Sequence, residues 1–252
     1  VDRIEVIRGG GSALFGGNAV AGVVNIITKE PKTNSLDINH TTSLVGGKAW
    51  DFNTNINGTY VTSDSKIGVS IFGTHHSRDA YDADNDGFSE LCKLNNATIG
   101  FRSFFKTGLY SKITAEYHHM YEFRRGGDSL ELAPDQTNIT EQTERNIDTG
   151  SLQFDWTSPN KLHHFSIYSS AQYIKRNSYY GTDKNPNAYG NTTDITAVVG
   201  GQYRYSWMQN TILPADVSAG FEYTYDNLHD QMLGYNRDMR QEVNIIGGYL
   251  QN

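Results

Sequence analysis

Acidic residues recur at close intervals in one polar segment, Asp82-Ala83-Asp84-Asn85-Asp86-Gly87-Phe88-Ser89-Glu90. Three aspartates stand at alternate positions, a glycine then permits a sharp bend, and a glutamate follows. Carboxylate oxygens at this spacing are ligands that calcium prefers, although the loop is shorter than an EF-hand. The pattern predicts a calcium site with Asp82, Asp84, Asp86 and Glu90 as ligands. An acidic, solvated hairpin loop without a metal is the alternative.

A second candidate site is an aromatic loop that we predict at 177–190. Its candidate ligand-binding residues are Tyr179, Tyr180, Asp183 and Tyr189. Binding residues concentrate on surface loops, so this segment is a candidate ligand surface. A mobile loop with no ligand is the alternative.

The remaining polar residues indicate neither catalysis nor nucleic-acid binding. Three His-His pairs occur, but neighbours in a strand face opposite sides and cannot share one metal ion. No nucleophile, base and orienting group can be combined from the sequence. The formal net charge of -7 gives no general attraction for nucleic acid. We therefore expect no enzyme and no nucleic-acid partner.

Apolar and polar residues alternate along most of the chain after residue 33. In 109–124, for example, Ile113 and Tyr117 occupy odd positions, whereas Lys112 and Glu116 occupy even positions. Side chains of a strand point to opposite faces with period two, so this pattern predicts strands with one apolar face. The predicted strands are 36–44, 52–60, 66–77, 95–104, 109–124, 142–156, 162–175, 195–207, 215–227 and 240–252.

Three features of these strands favour a transmembrane β-barrel over a soluble sheet. Several strands have the 9 to 11 or more residues that cross a bilayer at a tilt. Short and long connections alternate, and the apolar register carries no charged residue. Outward aromatic residues also cluster near the strand ends, as in the interfacial girdles of such barrels. They are Tyr60, Trp156 and Trp207 beside the short turns, and Tyr121, Tyr173 and Tyr225 beside the long loops.

Residues 1–33 differ in composition from the alternating region and contain a dense motif. The segment reads DRIEVIRGGGSALFGGNAVAGVVNIITK at 2–29. Without any comparison, it predicts a strand, a glycine-rich turn and a second strand; the spacing of a phosphate-binding loop is missing. The segment resembles the C-terminal half of the plug domain of TonB-dependent outer-membrane receptors, although Gly10 stands where that family usually has proline. The residues that carry the resemblance are Arg8, Gly9, Ser12, Gly16, Asn18, Gly22 and Asn25.

The resemblance implies a division into the C-terminal part of a plug (1–33) and the N-terminal part of a barrel (34–252). Ten strands are too few to enclose a plug, so we expect a fragment of a barrel of about 22 strands. The resemblance further implies an outer-membrane location in a Gram-negative bacterium and contact with lipid. It also implies energy-coupled uptake of a large, scarce nutrient, driven by the TonB complex through a segment upstream of this chain.

The resemblance also bears on the ligand. The acidic loop and its flanks are similar to the calcium-binding extracellular loop of cobalamin receptors, which weakly favours a cobalamin-like ligand. A ferric siderophore or haem is the alternative. A soluble, calcium-dependent β-rich binding protein or adhesin is the alternative of another class. A passive porin leaves residues 2–29 without an explanation.

Overall fold

The computed structural model describes residues 2–8, 22–207 and 215–251 of the chain. A two-stranded antiparallel sheet comes first, in which β1 (Arg3–Arg8) pairs with β2 (Gly22–Ile27). The other described strands form one ten-stranded antiparallel sheet, and its spatial order follows the chain from β3 to β12. β3 and β12 lie at its two edges, so the described residues form an open sheet.

Each of the ten predicted strands overlaps an observed one, and several observed strands extend farther toward the long loops. Their bounds are β3 (Ser35–Val45), β4 (Ala49–Val61), β5 (Ile67–Arg78), β6 (Lys93–Lys106), β7 (Ser111–Gly127), β8 (Ile139–Thr157), β9 (His163–Thr182), β10 (Tyr189–Trp207), β11 (Ala215–Met232) and β12 (Arg237–Gln251). Two short 3₁₀ turns, Pro134–Gln136 and Leu233–Tyr235, interrupt the long connections. Among the described residues, no helix has the length and apolar character needed to cross a membrane.

The strand register separates the sheet into two faces of different chemistry. Ile99 pairs directly with Gly73 and His119, and its side chain is 62% exposed. Thr98 precedes it and faces the opposite side. We call the face of Ile99 the outer face and the face of Thr98 the inner face. Large apolar side chains lie exposed along the outer face: Leu36, Ile38, Ile56, Ile71, Ile99, Leu152, Ile167, Ile195, Val199, Phe221 and Ile246.

The prediction of an outer face without charges is wrong near the long loops. Asp148 pairs with His119 and Tyr173, which places it on the outer face. Its carboxylate accepts a 2.7 Å hydrogen bond from the hydroxyl of Tyr117 and lies 2.9 Å from Nδ1 of His119. On the outer face of β8, the apolar residues lie on the C-terminal side of Asp148. On the N-terminal side, the strand extends back to Ile139 with the same alternation of faces. The carboxylate is therefore satisfied within the sheet.

The most buried side chains lie at the long-loop end of the sheet. Tyr179 is 0% exposed and Thr140 is 2% exposed, and both belong to the outer face. The segment 128–138 contacts this region: the hydroxyls of Thr137 and Thr140 lie 2.6 Å apart, and Asp135 accepts a 3.1 Å hydrogen bond from the hydroxyl of Tyr189, whose ring packs against Tyr179. We call this segment, with the strand ends that it covers, the cap. The cap supplies a small packed core that the open sheet lacks.

Residues 28–34 link the small sheet to β3 and are tied to the inner face. Nζ of Lys112 lies 2.6 Å from Oε2 of Glu30 in this linker. The guanidinium of Arg102 donates a hydrogen bond to the hydroxyl of Thr28. Two positions of the linker are thus held by cations of β6 and β7.

A substitution at Gly127 tests how tightly the cap is joined to β8. The φ of Gly127 is +125°, and an added Cβ would lie 2.1 Å from the carbonyl oxygen of Ile139. Gly127→Ala should therefore lower the free energy of unfolding by about 1–3 kcal/mol, because the backbone must shift. Gly73→Ala is the control, since its Cβ would meet its nearest atom at an ordinary 3.6 Å. Urea unfolding of the full-length protein measures both, and equal losses would contradict the assignment.

Candidate functional site: a cavity at the long-loop rim

A cavity of about 490 Å³ lies where β7, β8 and β9 reach the long loops. We call it the rim cavity. The lining residues that the site uses are Ser89, Glu90, Arg124, Glu141, Thr143, Tyr180 and Tyr235. Arg124 pairs directly with Thr143, and Glu141 pairs directly with Tyr180, so these four residues share the inner face.

The loop between β5 and β6 forms one wall of the rim cavity. Its backbone pairs with the end of β7 through an isolated bridge between Phe88 and Asp128. Ser89 donates its N–H to the carbonyl of Gly127 at 3.0 Å, and the N–H of Gly127 donates to the hydroxyl of Ser89 at 3.0 Å. These reciprocal hydrogen bonds hold the wall in place, because both backbone groups are satisfied across the junction.

The chemistry of the rim cavity suits a ligand with negatively charged oxygen atoms. Arg124 and Arg125 line it together with the hydroxyl groups of serine, threonine and tyrosine. Guanidinium groups bind carboxylate and similar oxyanions in a fixed, two-pronged geometry. Tyr235 closes one side, and its hydroxyl donates a 3.0 Å hydrogen bond to the carbonyl of Tyr180. Two carboxylates, Glu90 and Glu141, also line the cavity, so its charge is mixed.

The four acidic residues predicted as metal ligands come together in the structure. One carboxylate oxygen from each of Asp82, Asp84, Asp86 and Glu90 lies within 4.8 Å of the others. Hard oxygen donors in such a group are compatible with calcium.

Backbone groups already occupy part of this acidic cluster. Asp82 accepts hydrogen bonds from the N–H of Asn85 at 2.6 Å and of Gly87 at 2.9 Å. Desolvation raises the pKa of Asp82, but these N–H groups and the charge of Lys48 outweigh it, and the net pKa is lowered. The cluster therefore presents an ionised carboxylate, and it adjoins the rim cavity because Glu90 belongs to both.

The predicted aromatic loop at 177–190 is mostly strand. β9 continues to Thr182 and β10 begins at Tyr189, because their backbones stay paired up to Tyr179 and Tyr189. The loop is therefore much shorter than the sequence indicates, and the prediction of its bounds is wrong. Alternating polar and aromatic residues fit a paired strand as well as a loop.

The four residues proposed in that loop lie in three different surroundings. Tyr180 lines the rim cavity. Tyr179 lies buried on the outer face, stacks edge-on against Tyr189 and donates a 3.0 Å hydrogen bond to the carbonyl of Asn185. Asp183 lies exposed in a tight turn with φ of 55°. The structure thus brings Tyr180 to the cavity and uses Tyr179 and Tyr189 to pack the cap.

Sequence reasoning did not select Arg124, Glu141, Thr143 and Tyr235. The first three belong to the inner register of β7 and β8, which alternation alone can identify. Their convergence depends on the loop from β5 that folds against them, and this long-range contact leaves no local signal.

The glycine-rich motif is described only in part. Arg8 pairs with Gly22, and Asn25 donates a 3.1 Å hydrogen bond to the carboxylate of Glu5. Gly22 has φ of +135°, and an added Cβ would lie 2.6 Å from the carbonyl oxygen of Ile7. A glycine is required there. Gly9, Ser12, Gly16 and Asn18 lie outside the described residues.

Comparison with solved structures identifies the class of fold. The chain is similar to the siderophore receptor PirA from Acinetobacter baumannii, with a TM-score of 0.76 and 16% identity over 98% of this chain and 40% of that one. PirA from Pseudomonas aeruginosa gives a TM-score of 0.71 and 14% identity over 98% and 39%. The ferric citrate transporter FecA gives 0.65 and 15% over 98% and 39%. No known protein-family profile matches the sequence.

These likenesses confirm the predicted fold. The chain has the fold of part of a receptor β-barrel, as its resemblance to TonB-dependent receptors implied. It spans about 40% of the length of the PirA proteins and FecA. The proteins named above are described as receptors and transporters.

Asp128 offers a pH-dependent test of the cap. Its carboxylate accepts 3.0 Å hydrogen bonds from the backbone N–H of Ile139 and from the side chain of Asn138. The bond from Ile139 is the main cause that lowers the pKa of Asp128 below its ordinary 3.8. A lowered folded-state pKa means that this stabilisation is present above pH 3.8 and is lost as the pH falls through the folded-state value.

Hydrogen exchange of residues 128–138 at about pH 7 and about pH 3, corrected for intrinsic rates, measures this effect. Protection should fall at the lower pH, and Asp128→Asn should reduce protection at the higher pH and remove much of the difference. Glu131→Gln, in the same loop, is the control and should behave as the wild type. A variant at Asp128 with unchanged protection at both pH values would refute the role of this carboxylate.

Proposed function

We propose that this chain is part of a TonB-dependent outer-membrane receptor that imports a large, scarce nutrient. The observation that carries the proposal is the two-faced sheet, with an exposed apolar outer face and charged side chains on the inner face. Such a sheet suits lipid on one side and an aqueous lumen on the other. The shared fold with siderophore and ferric citrate receptors supports this reading.

The proposal assigns a location and partners. The outer face contacts the lipid of the outer membrane of a Gram-negative bacterium, and the long loops face outward from the cell. The TonB complex acts on the plug. Residues 2–29, with their resemblance to a plug, distinguish this proposal from a passive porin or a soluble adhesin.

We infer that the ligand is an anionic metal chelate of the siderophore type and not a cobalamin. The inference rests on Arg124, on the inner face of the rim cavity, since guanidinium groups favour charged oxygen ligands; the guanidinium of Arg125 donates to the carbonyl of Leu132. None of the structures named above is described as a cobalamin receptor. Cobalamin is the alternative ligand, and the following binding assay distinguishes it from a ferric chelate.

Binding assays on the full-length receptor test the ligand class. Arg124→Gln should weaken binding of an anionic ferric chelate about tenfold, because one charge-assisted hydrogen bond is lost. Arg240→Gln is the control, since Arg240 pairs with His229 on the outer face. Calorimetry with ferric citrate, a ferric catecholate and cyanocobalamin compares the ligands. Tight binding of cyanocobalamin that Arg124→Gln does not affect would show that the ligand is a cobalamin and not a ferric chelate.

We further propose that Asp82, Asp84, Asp86 and Glu90 hold a calcium ion. The support is the convergence of their carboxylate oxygens. Because Glu90 belongs to both the cluster and the rim cavity, an ion there offsets one of the negative charges beside the ligand.

Calcium at about a hundred times its dissociation constant should stabilise the folded receptor by about 2.7 kcal/mol. The double variant Asp82→Asn with Asp86→Asn should abolish this calcium-dependent rise in thermal midpoint. Asp79→Asn, an exposed acid outside the cluster, is the control. A wild-type midpoint that neither millimolar calcium nor a chelator shifts would refute the metal site while leaving the receptor proposal intact.

A further inference from the structure

A second cavity, of about 780 Å³, lies at the short-turn end of the inner face. We call it the mouth cavity. The charged residues that line it are Lys106, Lys112, Lys161, Arg204, Glu30 and Asp155, and His164 and Tyr110 also line it. It shares no lining residue with the rim cavity. Fixed positive charges outnumber carboxylates here.

The strand register places like charges directly opposite each other in the mouth cavity. Lys106 of β6 pairs with Lys112 of β7, whereas Arg204 of β10 lies opposite the imidazole of His164 on β9. Like charges directly opposite each other in a sheet are destabilising, and the ion pair with Glu30 offsets the charge of Lys112 alone. An anion between the strands would offset the repulsion.

The two carboxylates of the mouth cavity already have partners. Glu30, in the linker, forms the 2.6 Å ion pair with Lys112. Asp155 accepts hydrogen bonds of 2.9 and 3.1 Å from the side chain of Gln153 and lies 4.0 Å from His164. Within 2–8, 22–207 and 215–251, no carboxylate lies within ion-pair distance of the three remaining cations. They are Lys106, Lys161 and Arg204.

We infer that the mouth cavity is an anion-binding site for a small, multivalent oxyanion such as a polycarboxylate. The ion pair of Glu30 with Lys112 shows how one carboxylate is bound in the mouth cavity. The remaining cations can bind a second carboxylate group. The anion is either a free polycarboxylate or the anionic part of an imported chelate. The inference rests on the proposed function in one respect, that the inner face is the aqueous lumen.

The site is local to the short-turn end. Farther along the inner face, Glu116 pairs with Arg102 at 2.9 Å, and Glu222 accepts a 2.8 Å hydrogen bond from the hydroxyl of Tyr168. Asp194 and Asp226 also lie on this face, on neighbouring strands. The middle of the wall therefore does not continue the basic surface, and an anion at the mouth is separated from the rim cavity.

Calorimetry with metal-free citrate on the full-length receptor tests the inference. Arg124→Gln serves as the background, so that the rim cavity contributes little. In this background, Lys106→Gln with Arg204→Gln should weaken citrate binding at least tenfold. Lys66→Gln is the control, because Lys66 follows a short turn but does not line the cavity. Acetate should bind far more weakly than citrate, and added salt should weaken citrate binding.

The variant Glu30→Gln should change the citrate affinity in the opposite direction. It removes the resident carboxylate and leaves Lys112 available, so citrate affinity should rise several-fold. Ferric citrate in the same assay separates the two sources, since a free-anion site prefers the metal-free form. Equal citrate binding in the double variant and the Lys66 control, or no binding in the wild type and in Glu30→Gln, would overturn the inference. Receptor function is judged separately, by uptake in cells.

Discussion

A β-strand presents successive side chains to opposite faces, and the two faces of this sheet meet different surroundings. Ile99 and Thr98, neighbours in β6, illustrate the consequence: one is an exposed apolar residue and the other belongs to the charged inner face. The antiparallel ladder satisfies the backbone groups of adjacent strands, so each face is free to match its own environment. Under the proposed function these environments are hydrocarbon and water.

The sheet has few buried residues, and its stability is therefore organised differently from that of a two-layer domain. Each strand contacts its sequence neighbours, and the packed side chains are concentrated in the cap. There, Tyr179 is fully enclosed, and two hydrogen bonds between Gly127 and Ser89 of the β5–β6 loop join two long loops. The cap thereby converts loops that emerge from separate hairpins into one wall of the rim cavity.

Charged groups hold the strands together on the inner face. Thr192 donates a 2.6 Å hydrogen bond to Asp230, and the guanidinium of Arg176 contacts both. Arg237 also pairs with Asp230 at 2.9 Å. Four strands, β9 to β12, thus share one nearly buried carboxylate, which its partners compensate. Cations on this face serve the architecture here, whereas Lys106, Lys161 and Arg204 of the mouth cavity have no carboxylate partner among the described residues.

Local pattern was sufficient for the elements of this protein. The alternation around Ile113 and Tyr117 predicted a strand and its apolar side, and the same reasoning located all ten strands of the sheet. The spacing of Asp82, Asp84 and Asp86 predicted a cluster that the structure shows. These signals succeed because strand periodicity and a tight acidic loop involve residues that are close in sequence.

Long-range contacts were needed for the rest. Tyr179 packs against Tyr189, and the hydroxyl of Tyr189 is held by Asp135 of the segment 128–138, which is distant in sequence and carries no periodic signal. Asp148 is tolerated on the outer face because Tyr117 and His119 of another strand reach it. The two cavities likewise form where separate loops and hairpins meet. The order of side chains along each strand is a property of the sequence, but which of them converge is settled by packing between strands, because the free energy of those contacts exists only once the sheet has formed.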